Sequence, residues 1–171
     1  KGKTILVADT NVQDFPSPER LVNVSKSCVR VARLFGFDPK VAFLSHSTFG
    51  KPISKNTKHV RDAIQALKKE KVDFDFDGEM QPDVALNPIY QEIYPFSKIV
   101  GNANILIMPA LHSAARSTKR MKVFRGGKPI GPVLSGLGLP IEVAPLRAST
   151  SEILNLASIA SYSSDVIDYS N

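Results

Sequence analysis

The stretch "VAFLSHSTFG", residues 41–50, decides the fold. Its four apolar residues, 41–44, form a short continuous run that is typical of a strand buried on both faces. Three hydroxyl side chains and a glycine follow at once. In an open sheet of parallel strands, ligands bind in the loops at the carboxyl ends of the strands. The stretch therefore predicts an α/β fold with a candidate ligand-binding loop at residues 45–50.

The rest of the chain alternates apolar strands with amphipathic helices. Further strands are predicted at residues 4–8, 105–108, 130–134 and 141–143, and around Phe74 and Phe76, where aspartates alternate with the rings. Helices are predicted after the Ser17 cap as far as Gly36, and at residues 58–71, 82–94, 110–124 and 149–160. This alternation favours a three-layer α/β/α architecture with a mostly parallel sheet and helices on both faces.

Apolar spacing predicts which face of each helix is buried. The predicted inward residues of three helices are Leu21, Val24, Cys28, Val31 and Phe35; Val60, Ile64 and Leu67; and Ile153, Leu156, Ala157 and Ala160.

Composition limits the class of protein. The 171 residues are 43% hydrophobic and 22% charged, which predicts one globular domain, with two small domains as the alternative. The abrupt start at a strand suggests a piece of a longer chain. The single cysteine, Cys28, excludes an internal disulfide and fits the cytoplasm. The net charge of +6 permits an anionic partner, but the aromatic residues do not interleave with the basic ones as in nucleic-acid platforms. No apolar run reaches the roughly 20 residues of a membrane helix.

Several polar stretches are candidates for chemistry. Ser45, Ser47 and Thr48 offer hydroxyls and Gly50 a close backbone approach, so the loop could bind an anion or could simply cap the strand. The stretch 77–79, Asp-Gly-Glu, could be an acid–base pair, or a strand exit whose glutamate caps the next helix. The basic stretch 119–125 fits a solvated helix face or a contact to an acidic ligand. The three histidines lack metal-site spacing.

Five motifs occur together, in the order found in the phosphate acetyl/butyryltransferase family: "SHSTFG", "DGEMQPDVAL", "GNANILIMPAL", "IGPVLSGLGLPIEV" and "ASTSEILNLASIA". Residues 1–171 resemble the carboxyl-terminal half of that family's unit. The resemblance implies an isocitrate/isopropylmalate dehydrogenase-like fold and a cleft between two domains that binds coenzyme A and acetyl phosphate. It also implies that the last helix, about 149–162, packs on a partner domain.

Departures from the family pattern bear on catalysis. Active members carry Ser-Arg-Gly-Cys-Ser-Val-Glu-Asp before the last helix, and its Ser, Arg and Asp are catalytic and phosphate-binding. Here Pro145, Leu146 and Glu152 stand at those three positions. Phe49 replaces a family lysine, and residues 112–116 replace Asp-Ala-Gly-Asn-Ile. The resemblance thus implies no catalytic residue. It implies an anion site for acetyl-CoA or phosphate, with these residues: Ser45, Ser47, Thr48, Gly50, Arg147 and Glu152.

With these departures, the chain resembles the phosphotransacetylase-like domain at the carboxyl end of bacterial NADP-dependent malic enzymes. Their amino-terminal part converts malate to pyruvate and CO₂ with NADP and a divalent metal. This resemblance implies a cytoplasmic, non-catalytic regulatory domain that senses acetyl-CoA, forms a homodimer and adjoins the malic enzyme domains. It implies no cofactor in this chain, no nucleic-acid partner and no membrane partner. The alternatives are the carboxyl-terminal part of an active phosphate acetyl/butyryltransferase and a pure dimerisation module with a closed pocket.

Overall fold

The computed structural model describes residues 3–8, 14–124, 129–137 and 139–166. The chain divides into two compact units, Lys1–Arg120 and Met121–Asn171. The strands are β1 Leu6–Ala8, β2 Lys40–Leu44, β3 Asp75–Met80 and β4 Ile105–Ile107. The helices are α1 Pro18–Leu34, α2 Lys58–Glu70, α3 Pro82–Leu86, α4 Leu111–Val123 and α5 Thr150–Val166. Short 3₁₀ turns lie at Lys55–Thr57 and Pro88–Gln91.

The four described strands form one parallel sheet in the order β1-β4-β2-β3. Every pair is parallel, so all carboxyl ends lie at the same edge of the sheet. The predicted α/β fold with a mostly parallel sheet is confirmed. Residues 45–50 leave β2, one of the two inner strands, at this edge, beside the end of β3.

Side chains of β2 alternate between two apolar clusters. Val41 and Phe43 belong to a cluster with α1 and α2, which contribute Leu21 and Leu67. Ala42 and Leu44 belong to a second cluster on the other face, with Ala85 of α3 and Ala114 of α4. Helices therefore cover both faces, as the three-layer prediction required.

The pairing of β2 with β3 contains an irregularity at Glu79. Phe43 pairs with Gly78, but Leu44 pairs with Met80, so Glu79 is an extra residue in β3. An extra residue breaks the alternation of side chains between the two faces. Phe76 accordingly packs in the α1–α2 cluster, whereas Met80, four residues later, packs in the opposite one. The aspartates that alternate with the rings therefore differ in exposure: Asp73 and Asp75 are exposed, whereas Asp77 is buried, as is Glu79.

Helix α1 begins as predicted, with the Ser17 hydroxyl accepting a hydrogen bond from the Arg20 amide at 3.2 Å. Its predicted inward stripe is partly wrong, because α1 packs against α2 as well as against β1 and β4. The fully buried side chains are those of Leu21, Val22, Ser25, Val29 and Ala32, while Phe35 is 38% exposed. In α2 the predicted Val60, Ile64 and Leu67 are all buried.

Three other predicted elements differ from the structure. The helix predicted over 82–94 ends at Leu86, because Pro88 disfavours helical backbone at Asn87, which is extended (φ −122°, ψ 111°). The strands predicted at 130–134 and 141–143 are not formed in the described residues. Pro132 and Pro140, which interrupt or border these runs, have no N–H to donate to a sheet.

Helix α5 exposes most of its predicted inward face. Leu156 is buried, but Ile153 is 50% exposed and Ala157 is exposed. The helix predicted over 149–160 is confirmed as α5, but of its predicted inward residues only Leu156 is buried. Packing of this helix on another domain stays a prediction. No helix in the described ranges is both long enough and apolar enough to cross a membrane.

We expect Gly78→Ala to destabilise the fold by about 2–4 kcal/mol. Gly78 has φ +143°, and an added Cβ would lie 2.7 Å from the Phe43 carbonyl oxygen. Gly36→Ala is the matched control: its φ is +75°, but nothing lies within 4 Å of the added carbon. It should cost about 1 kcal/mol. Urea unfolding of both variants measures the difference, and equal losses would contradict the steric argument.

Candidate functional site

A buried polar cluster lies where β2 and β3 end. Ser47, Thr57 and Glu79 are 0%, 3% and 1% exposed. The Ser47 hydroxyl donates to Glu79 Oε1 at 2.6 Å, and the Thr57 hydroxyl lies 3.4 Å from the same oxygen. Burying a carboxylate costs free energy unless it is paired and hydrogen-bonded. These hydrogen bonds therefore allow Glu79 to be buried.

Arg61 of α2 supplies the opposite charge. Its Nη1 donates to Glu79 Oε1 at 3.0 Å and also to the Thr57 hydroxyl, and its Nη2 donates to the Ser54 carbonyl oxygen at 2.9 Å. The Glu79 side chain is 0% exposed and that of Arg61 is 33% exposed. The ion pair therefore joins the end of β3 to the first turns of α2 and fixes the guanidinium in one orientation.

Backbone hydrogen bonds attach the loop 45–50 to β3. The Ser45 amide donates to the Met80 carbonyl at 2.9 Å, and the Phe49 amide donates to the Glu79 carbonyl at 2.7 Å. Thr48 and Lys51 exchange two backbone hydrogen bonds of 3.0 Å across a tight turn. The loop thus has a shape set by β3.

The hydroxyls predicted to bind an anion are used within the protein. Ser45 Oγ and Ser47 Oγ are 3.2 Å apart, and Ser47 donates to Glu79. Thr48 Oγ1 accepts from the Gln81 amide at 3.3 Å. Gly50 has φ +83° and borders an open cleft. The structure brings these four residues together, and their role in binding an anion stays a prediction.

Arg147 and Glu152 lie in the second unit, Met121–Asn171. Glu152 accepts from the Ser149 amide at 2.7 Å and from its hydroxyl at 2.8 Å, while the Ser149 hydroxyl accepts from the Glu152 amide at 3.3 Å. This reciprocal pair is a capping box at the start of α5. Arg147 is exposed. Their predicted contact with an anion also stays a prediction.

The reading of residues 77–79 as a strand exit is wrong. Both acidic residues lie inside β3, because the strand continues to Met80, and Glu79 caps no helix. Asp77 instead accepts from the amides of Gly78 at 2.9 Å and Lys98 at 2.8 Å. It therefore fastens the segment before β4 to β3.

Among the acidic groups of the described residues, partial burial raises the pKa of Glu142, which a hydrogen bond from the Leu134 amide partly opposes. Within the same part of the chain, no group of three or more His, Cys, Asp or Glu side chains could hold a metal ion.

A cleft of about 210 Å³ lies between α2 and the end of β3. Its lining comprises Phe49 and Gly50 from the loop, Gly78 and Glu79 from β3, and four residues of α2: Arg61, Ile64, Gln65 and Lys68. Sequence reasoning considered Glu79 only as half of an acid–base pair or as a helix cap, and it missed the ion pair with Arg61. Only the odd polar residue Glu79 between Gly78 and apolar Met80 could have hinted at it, because Arg61 is 18 positions away.

We expect Arg61→Ala to lower the free energy of unfolding by about 2–4 kcal/mol, because it leaves the Glu79 carboxylate buried without its counter-charge. The value lies below that of a fully buried pair because Arg61 is one-third exposed. Lys58→Ala, which removes an exposed pair with Asp62 on the same helix, is the control and should change stability by less than about 0.5 kcal/mol. Comparable losses in denaturant titrations would contradict this account.

The family described as phosphate acetyl/butaryl transferase matches residues 1–161. The NADP-dependent malic enzyme of Rhizobium meliloti is 44% identical over 95% of this chain, which spans 21% of that protein. The phosphate acetyltransferase of Clostridium acetobutylicum is 32% identical over 91% of this chain, which spans 47% of it. The chain thus covers about a fifth of one relative and about half of the other.

Solved structures agree with this result. A phosphotransacetylase from Streptococcus pyogenes superimposes with a TM-score of 0.90 and 29% identity, over 96% of this chain and 50% of that one. A second, the EutD phosphotransacetylase from Staphylococcus aureus, gives 0.85 and 30% over 95% and 51%. By sequence and by fold, the chain belongs to the phosphate acetyl/butyryltransferase family.

Proposed function

We propose that this chain is a phosphotransacetylase-like regulatory and oligomerisation domain of an NADP-dependent malic enzyme, without acetyltransferase activity of its own. The observation that carries the proposal is that Pro145 and Leu146 stand where, by the resemblance, active members of the family have Ser and Arg. Leu146 is fully exposed. It is an apolar side chain at a position that would need a phosphate-binding cation.

The two side chains cannot replace what acetyl transfer requires. Proline has no N–H and no side-chain donor, and leucine carries no charge. Charge that develops on a phosphoryl or acyl oxygen is stabilised by fixed donors, and removing one such donor costs on the order of 10²–10³ in rate. Loss of two donors is therefore expected to remove useful turnover.

Sequence similarity supports the malic enzyme as the parent. Identity is 44% to the R. meliloti malic enzyme and 32% to the C. acetobutylicum transferase, over similar shares of this chain. In this proposal, the amino-terminal part of the parent oxidises and decarboxylates malate with NADP and a divalent metal. This domain holds no cofactor and sits in the cytoplasm.

The proposed effector is acetyl-CoA. The predicted anion-binding residues are the loop residues Ser45, Ser47, Thr48 and Gly50, together with Arg147 and Glu152. Support comes from the position of the loop at the carboxyl edge of a parallel sheet, where such folds bind ligands. The domain would act by responding to this metabolite rather than by converting it.

We expect the full-length protein to transfer no acetyl group between coenzyme A and phosphate above background, while acetyl-CoA changes its rate of malate oxidation. Acetyl-phosphate formation and NADPH production are measured on the same preparation, with a phosphate acetyltransferase as positive control. Robust transfer would instead support the alternative, an active acyltransferase in which the neighbouring Arg147 binds phosphate. No transfer and no response to acetyl-CoA would leave the pure dimerisation module.

We also expect this chain to form a homodimer in solution. Large apolar side chains are exposed on the first unit, notably Ile89, Ile93 and Phe96, each more than 60% exposed. A stable interface typically buries ~1,200–2,000 Å² in total. Light scattering at micromolar concentration should give twice the chain mass of 18.7 kDa. A clean monomer mass would rule the dimer out.

A further inference from the structure

We propose that the cleft between α2 and the end of β3 binds a phosphate group, held by Arg61, Gln65 and Lys68. This inference rests on the proposed function in one respect only, the identity of the ligand that carries the phosphate. It differs from the anion site predicted on the Ser45, Ser47 and Thr48 hydroxyls, because it places the phosphate on the side chains of α2.

The loop hydroxyls are poorly suited to an anion. Ser47 is 0% exposed and its hydroxyl donates to a carboxylate. An anion that took this hydroxyl would have to approach the buried negative charge of Glu79 and would remove one of its hydrogen bonds. Thr48 Oγ1 already accepts a backbone hydrogen bond. Donors without these internal contacts lie beside the loop, on α2.

Arg61 is a cation fixed in place beside the cleft. Its two terminal nitrogens are held by Glu79, Thr57 and Ser54, while its Nε has no partner among the described residues. The side chain is nevertheless 33% exposed. A guanidinium whose orientation is already fixed loses little entropy on binding, and it matches a phosphate better than a mobile ammonium does.

Two further side chains of α2 complete the set. Arg61, Gln65 and Lys68 are spaced by four and three residues, so they share one face of the helix, and all three line the cleft. Gln65 and Lys68 are exposed, and their side chains make no hydrogen bond or ion pair with the described residues. Their amide and ammonium donors are available to a ligand. Counting Glu79, the charged side chains of the lining sum to one positive charge.

The size of the cleft selects a small group. Pockets that enclose drug-sized ligands measure about 300–1,000 Å³, and this cleft measures about 210 Å³. It would hold a phosphate and its immediate substituent, with the rest of any larger molecule outside. Gly78, on the opposite wall, has no side chain to close it. Free phosphate and a phosphate of a coenzyme A ester share this chemistry, and the experiment separates them.

The test is calorimetric titration of the full-length protein at low salt with three probes: inorganic phosphate, acetyl-CoA and 3′-dephospho-acetyl-CoA. Lys68→Ala removes a cation from the cleft. Lys69→Ala is the matched control, because it removes the same charge from an exposed neighbour that does not line the cleft. Both positions are exposed, so both variants should fold, and thermal unfolding confirms this.

We expect Lys68→Ala to weaken binding at least tenfold and Lys69→Ala to change it less than twofold. Weakened inorganic phosphate binding supports a free-phosphate site. Weakened binding of acetyl-CoA but not of the dephospho form supports the 3′-phosphate of the ester as the bound group, and equal weakening of both supports its diphosphate. Equal effects of the two variants, or no binding of any probe, overturn the inference. Because binding is measured separately from malate oxidation, this site and the proposed function can fail independently. If Lys68→Ala leaves both acetyl-CoA binding and the acetyl-CoA response of malate oxidation unchanged, this site is overturned and the proposed function stands.

Discussion

The burial of one carboxylate, that of Glu79, organises the carboxyl edge of the sheet. The extra residue in β3 places Glu79 beside the end of β2, and the charge is tolerated only because Arg61, Ser47 and Thr57 surround it. These partners come from the loop after β2, the 3₁₀ turn before α2, and α2 itself. A single buried charge therefore joins three segments, of which α2 also packs in the core through Val60, Ile64 and Leu67.

This arrangement changes what the loop 45–50 can do. A loop that looks rich in donors has already used its hydroxyls on Glu79 and on the backbone. The guanidinium that neutralises Glu79 keeps a third of its surface in contact with solvent. The site that we propose for an anion therefore lies on α2 and not on the loop hydroxyls, because the ion pair holds Arg61 in one position.

The proposed function requires that loss of acetyl transfer and binding of a ligand be compatible in one domain. Acetyl transfer needs donors placed for the transition state, and Pro145 and Leu146 offer none. Binding a metabolite needs only ground-state contacts, which a family scaffold can keep after catalysis is lost. A parallel sheet whose carboxyl edge stays ordered by the Glu79 ion pair is a suitable scaffold for a sensor within a longer enzyme.

The sequence by itself determined the layers. The apolar run of β2, the Ser17 cap and the stripe of α2 depend on local patterns, and these predicted the parallel sheet with helices on both faces. Tertiary structure decided the site. The extra residue at Glu79 moves Met80 to the opposite face and buries a charge whose partner lies 18 residues away. Tertiary structure also decided that residues 130–134 form no strand, because strand formation depends on a neighbouring strand to pair with and not on the apolar run alone.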